Sequence, residues 1–344
     1  MDPPSFTTAE PAAPLPPPPL PRRRRKPHWI LWTLLIISLA GNLVTCTNFG
    51  DQWSSIGADE FPMVDHFLLW GNADAETQVA VITLEGVIVR EAASTLFGEV
   101  VDPVTKILNE IRAVTVDPAI QAILLEIDSP GGGVTESDEI YNALMDFKAA
   151  DPDRKIVVHI RDMAASGGYY VALAGDLLVA QPTSVVGSVG VMISAVNMNQ
   201  LGQKVGIQDV TLTSSSNKAL LNSLAPVNPE HMEILQQVVD QMYDRFRNLV
   251  LEHRPFDAAF ADENRLLDGR IFAQPAALTF GLVDETGYMD HTRQRVLDLL
   301  GVEEAAFYGV EYGSSGWGSV FSVKSPEILE PLQPHSGFQY LWKP

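Results

Sequence analysis

Three short stretches of this chain are apolar almost without interruption: residues 79–84 (Val-Ala-Val-Ile-Thr-Leu), 122–127 (Ala-Ile-Leu-Leu-Glu-Ile) and 155–160 (Lys-Ile-Val-Val-His-Ile). Runs of that length without polar alternation predict strands buried on both faces of a parallel sheet. Between them the spacing changes to that of helices. Residues 104–113 place Leu108 and Ile111 on one side, and residues 135–149 do the same with Ile140, Leu144 and Phe147. Strand, helix, strand, helix, strand in this order predicts βαβ units with right-handed crossovers, hence an α/β fold. Further strands are expected at 177–180 and 189–193. Residues 229–251 read as one long helix whose stripe of Ile234, Val238, Met242, Phe246 and Leu249 belongs to the core or to a subunit interface. Asp268-Gly269-Arg270-Ile271-Phe272 and the stretch 276–284 form a last pair of elements, read as scaffold.

The ends of the chain have a different texture. Residues 1–28 are rich in Pro, Ala, Ser and Thr and finish in Arg22 to Arg25 and Lys26. Such a segment lacks the apolar surface needed to order itself. Residues 29–46 follow as an apolar run that would extend about 27 Å as a helix, close to the thickness of a hydrocarbon core. With the basic cluster kept in the cytoplasm, the rest of the chain is placed outside it. An uncleaved signal anchor is the expectation; a cleaved signal peptide and lipidation at Cys46 are the alternatives. Gly50, Gly57 and Pro62 break periodicity in 47–76, read as a stalk. Residues 77–308 are then one globular domain and 309–344 a tail, made flexible by its glycines and serines but apolar at Phe338, Tyr340, Leu341 and Trp342.

Charge sharpens that division. Residues 1–28 carry five basic and two acidic residues; the remainder carries 18 basic and 41 acidic ones. An acidic body argues against nucleic acid, which requires clustered cations. The one cysteine, Cys46, rules out an intrachain disulfide, and the seven histidines show no metal-binding spacing. No metal and no cofactor are therefore expected. His159 lies close before the most reactive-looking serine, but on a strand it reads as a partly buried structural residue.

That serine is Ser166, in Met163-Ala164-Ala165-Ser166-Gly167-Gly168-Tyr169-Tyr170. Alanines and glycines leave it almost no side-chain cover, and the strand before it and the apolar stretch after it place its hydroxyl at a helix N-terminus. Free N–H groups there can stabilise an oxyanion. Gly131-Gly132-Gly133 also joins a strand to a helix, and glycines let a backbone approach a substrate closely; a plain tight turn is the bland alternative. Serine needs a base. A desolvated lysine serves, and Lys218 stands in a Ser-rich stretch with no acidic residue from 210 to 228.

Taken together, Asp128-Ser129-Pro130-Gly131-Gly132-Gly133, the run around Ser166, Gly187-Ser188-Val189-Gly190 and Lys218 resemble the short, single-repeat form of the signal peptide peptidase A (SppA) family, from about residue 79 to 289. The resemblance implies a crotonase/ClpP-like α/β fold of repeated ββα units behind an N-terminal anchor. It implies a Ser/Lys dyad of Ser166 and Lys218, an oxyanion hole from Gly132 or Gly133 with Gly167, and Ser188 orienting the lysine. Remnant signal peptides and other unfolded apolar peptides become the expected substrates, cut at the outer side of a bacterial inner membrane. The implied assembly is a ring-shaped homo-oligomer on that membrane, each site built from two adjacent protomers. The tail is expected to pack on its own or a neighbouring protomer near the groove. A catalytically silent scaffold that binds membrane peptides and a crotonase-type acyl-CoA enzyme are the competing readings.

Overall fold

A computed structural model describes residues 64–90, 93–95, 98–312 and 339–341. The chain begins with strands β1 (Val64–Trp70) and β2 (Gln78–Glu85), a small hairpin of β3 (Ala93–Thr95) and β4 (Gly98–Val100), and helix α1 (Pro103–Val116). Then come β5 (Ile120–Ser129), β6 (Gly131–Gly133), α2 (Val134–Ala150), β7 (Lys155–Ala165), α3 (Gly167–Ala172), β8 (Leu177–Ala180) and β9 (Val185–Gly187). The remainder holds α4 (Asn199–Val205), a 3-10 turn (Ser216–Ala219), α5 (Pro229–His253), α6 (Ala258–Glu263), β10 (Ile271–Ala273), α7 (Gln274–Thr279), β11 (Glu285–Thr286), α8 (Met289–Leu300), β12 (Ala306–Tyr312) and β13 (Gln339–Leu341).

The central sheet runs β1-β12-β2-β5-β7-β8-β11, with β9 and β10 attached beside β7. Its middle is parallel, and only the β1–β12 and β9–β10 pairs are antiparallel. The uninterrupted apolar runs have the expected consequence. Ile82, Ile123, Leu125, Ile156 and Val158 face one layer, which Ile107, Ile111, Ile140, Leu144 and Phe147 from α1 and α2 complete. Val79, Val81, Leu124 and Val157 face the other, closed by Val296 of α8 and by Phe307. Both faces are dry, so slipping a strand by one residue would exchange the two cores.

Helix starts follow local chemistry. Asp102 accepts the Thr105 N–H at 2.9 Å ahead of Pro103, and Asn228 accepts the Glu230 N–H at 3.0 Å ahead of Pro229. The α5 stripe is covered unevenly: Phe246 is buried, whereas Ile234 and Val238 are half-exposed.

Three expectations need correction. The stretch read as stalk contains β1, which pairs with β12 in the sheet and lays Phe67 over Gly309. Its breakers lie before residue 64, so they never interrupt it. The strand expected at 189–193 lies instead at Val185–Gly187, because Ser188 takes a left-handed φ of 53° and turns the chain out of the sheet. The tail starts later than expected: the strand β12 of the domain runs past 309 to Tyr312, while β13 forms a second small sheet with β6, in keeping with the tail's expected packing near the groove. The anchor at 29–46, the basic segment before it and Cys46 lie outside the described residues. Among those described, no helix is long and apolar enough to cross a membrane.

Glu110 of α1 is 2% exposed and accepts the Tyr312 N–H at 3.1 Å, with Lys106 3.7 Å away. Burial pushes its carboxyl from 4.5 up to about 7. A carboxyl more easily protonated in the fold stabilises it fully below the unfolded value, and that contribution disappears as pH rises through 7. Glu110→Gln keeps the acceptor and removes the charge. It is expected to be more stable than the parent at pH 8, by up to about 3 kcal/mol, with no gain at pH 4. Urea unfolding at the two pH values checks this; an equal shift at both would remove the titration from the account.

Candidate active site

Strand β7 delivers Ser166 directly into α3. Its N–H donates to the Gly187 carbonyl at 2.7 Å and its own carbonyl accepts the Tyr170 N–H at 2.8 Å, so the turn is pinned from both sides. The backbone there is at φ 52°, ψ −117°, a conformation that side-chain-bearing residues rarely adopt. The next turn is anchored deep in the protein. Tyr169 donates its hydroxyl to the Leu282 carbonyl at 2.8 Å, and Tyr170 donates to Asp138 at 2.5 Å, a carboxylate also held by Arg245 at 2.6 Å. Ser166 is 1% exposed and stands in the wall of a cavity of about 580 Å³.

Two glycine amides sit beside it. A Cβ on Gly167 would lie 2.4 Å from Ser137 Oγ and 3.1 Å from the Gly132 nitrogen, so α3 and β6 approach at backbone distance. As first residue of a helix, Gly167 has no carbonyl of its own helix for its N–H. Gly132 is fixed by Ile88 across a parallel bridge. The Ile88 N–H donates to the Gly131 carbonyl at 2.9 Å, and the Gly133 N–H donates to the Ile88 carbonyl at 2.8 Å. Gly133 is thereby removed from the expected oxyanion hole, because its donor is already engaged. Successive N–H groups of a strand point to opposite sides, so that of Gly132 points away from Ile88. On that side lies β13, with Tyr340 opposite Gly132.

Ser188 shares the Ser166 cavity and is 7% exposed, held where its N–H donates to the Arg270 carbonyl at 2.7 Å. Lys218 does not join it. It lies exposed on the 3-10 turn, outside that cavity, and among the described residues its ammonium has no hydrogen bond or ion pair, to Ser166 or to any other group. One chain thus gathers Ser166, Gly132, Gly167 and Ser188 and leaves Lys218 apart.

His159 is fully buried between Gln181 (3.1 Å from Nε2) and Thr292 of α8 (2.8 Å from Nδ1). Burial pushes it down to about 4, so its ring is neutral and structural. Among the described residues no group of His, Cys, Asp and Glu has metal-binding geometry. Sequence reasoning missed the Ile88 bridge, the tail strand and the cavity's far wall of Val239, Asp240 and Tyr243 from α5 with Asp268. Only Asp268 had a visible signal, in the Asp-Gly-Arg run read as scaffold.

Residues 148–303 match the family model described as peptidase family S49. The chain is 33% identical over 213 residues to a provisionally named signal peptide peptidase SppA of Enterococcus faecium, covering 62% of this chain and 61% of that one. It is 35% identical over 182 residues to a provisionally named protease of a Synechocystis species, covering 53% of this chain and 64% of that one. It thus spans a little over three-fifths of each of these relatives. A solved structure of a ClpP1 mutant from Listeria monocytogenes superposes with a TM-score of 0.39 at 14% identity, over 62% of this chain and 94% of that one. That likeness is too loose to bear on the fold.

The backbone at Ser166 leads to a stability prediction. Ser166→Gly is expected to raise unfolding stability by about 1 kcal/mol, since glycine holds a positive φ without strain. Ser166→Ala retains the Cβ and is expected to leave stability unchanged. Thermal unfolding of both variants decides it, and a destabilised glycine variant would show that the serine is unstrained.

Proposed function

We propose that this chain is a membrane-held serine endopeptidase of the SppA type, cutting remnant signal peptides and other unfolded apolar peptides outside the cytoplasm. The observation that carries the reading is Ser166, projected by a left-handed turn into a cavity with the Gly167 and Gly132 amides at its side. The S49 domain and the protease names of the relatives support the reaction class.

In this reading Ser166 Oγ attacks a peptide carbonyl while the Lys218 amine takes its proton. The oxyanion rests on the N–H groups of Gly132 and Gly167. Lys218 then gives the proton to the leaving amine, and water hydrolyses the acyl-enzyme by the same relay. Pairing of β13 with β6 supports an extended peptide binding as an added antiparallel strand.

Lys218 comes from an adjacent copy. It rides on a segment between β9 and α5 whose Val196, Val205, Val210 and Leu212 are 69%, 62%, 85% and 96% exposed, a surface that calls for a neighbour. Ser166→Ala and Lys218→Ala proteins are each expected to be inactive. Mixed one to one with subunit exchange, they should regain activity at about a quarter of the sites of a closed ring. Peptide hydrolysis before and after mixing is the measurement. Exchange without recovery would place both residues in one chain, and activity retained by either variant alone would end the dyad reading.

The tail strand occupies the side of Gly132 on which a substrate and its oxyanion would bind. A chain ending at Tyr312 is therefore expected to hydrolyse peptides several-fold faster at low substrate concentration, mainly through a lower KM. Unchanged kinetics would mean that β13 leaves β6 freely in solution.

A further inference from the structure

The cavity beside Ser166 has walls of two kinds. Val189, Val191, Val239 and Leu267 make an aliphatic sleeve, and Asp240 and Asp268 bring carboxylates to it. The two acids differ. Arg270 grips Asp268 through two contacts of 2.7 Å, and that hydrogen bonding holds its carboxyl below the usual range. Asp268 is thus already neutralised. Asp240, one turn before Tyr243 on α5, receives only the Gln236 side-chain amide at 2.7 Å, and among the described residues no cation pairs with it. Among the described residues of one chain no lysine, arginine or histidine lines the cavity, and the neighbour's Lys218, which the dyad reading brings to this cavity, is engaged there with the Ser166 hydroxyl. An aliphatic sleeve with one uncompensated carboxylate at its wall matches a side chain that is itself an apolar stem with a cationic tip.

Position decides which substrate residue enters. The acyl carbon must come within bonding reach of Ser166 Oγ while its oxygen points to the Gly132 and Gly167 amides. The side chain nearest that carbon belongs to the residue that donates the scissile carbonyl, and Ser166 is part of this cavity's wall. We infer that the cavity selects lysine or arginine at that residue, with Asp240 as the specificity-determining group. This rests on the peptidase reading and adds to it a substrate class: apolar peptides interrupted by basic residues, cut after the basic residue. The remaining acidic charge of the body works in the same direction.

The test uses full-length protein and three fluorogenic peptides identical except for Lys, Arg or Leu at the carbonyl-donating position. The parent is expected to show kcat/KM at least tenfold higher for the Lys and Arg peptides than for the Leu peptide. In Asp240→Asn that ratio should fall about tenfold or more, Asp240→Glu should restore most of it, and Asp268→Asn should change it far less. A parent that prefers Leu, or an Asp240→Asn ratio equal to the parent's, overturns the inference. Labelling of Ser166 by a fluorophosphonate separates the two levels. Labelling and cleavage without a basic preference sink the specificity claim alone. Absence of both labelling and cleavage sinks the peptidase reading and the specificity with it.

Discussion

Everything about the site depends on main chain meeting main chain where a Cβ would not fit. A methyl group on Gly132 would sit 2.0 Å from the Ile88 carbonyl, and one on Gly167 would meet Ser137. Remove those absences and β6 parts from both the loop after β2 and the start of α3. Ser129 extends the constraint, donating its hydroxyl to the Gly86 carbonyl at 2.6 Å and accepting the Gly131 N–H at 3.1 Å. The orientation of the Gly132 amide is therefore set by β5 and the loop after β2 together.

A parallel sheet makes this convergence possible. Strands β2, β5 and β7 lie side by side in register and end at one edge. The Ile88 loop, the glycine strand and Ser166 emerge there within a few residues of one another. Burial on both faces fixes each strand's register, so the same apolar contacts that stabilise the fold also set where the three chain segments leave the sheet. The polar residues inside follow the same logic: His159 and Thr292 bind each other on the far face and tie α8 to β7 without entering the site.

How much of this was legible beforehand depended on the range of the interaction. The strands at 79–84, 122–127 and 155–160 and the helices on α1, α2 and α5 were readable because the period of burial is written locally. Ser166 at a strand-to-helix turn was readable because small residues on both sides leave few other uses for it. Gly133 was misjudged because its N–H partner, Ile88, is 45 residues away and carries no motif. The strand β1 was hidden because its worth comes from pairing with β12 at the other end of the domain. Asp240 was invisible for the same reason: it is an exposed acid on a helix, and only the fold sets that helix across one cavity from Ser166 and residues 188–192.

With the site shared as proposed, the separation of Lys218 from Ser166 and the exposure of the segment that carries it have one explanation. Residues 196–212 expose aliphatic side chains that no element among the described residues covers, and the first half of α5 is half-covered beside them. Burying each large aliphatic on a neighbour is worth roughly 1.5–3 kcal/mol, so a contact over this surface would favour assembly strongly. The same contact would take Lys218 out of water, and a lysine can act as a base only when desolvation weakens its hold on the proton. Assembly and activation would then be one event: the isolated chain keeps an intact nucleophile without a base, and cannot cut what it meets before its neighbours are in place.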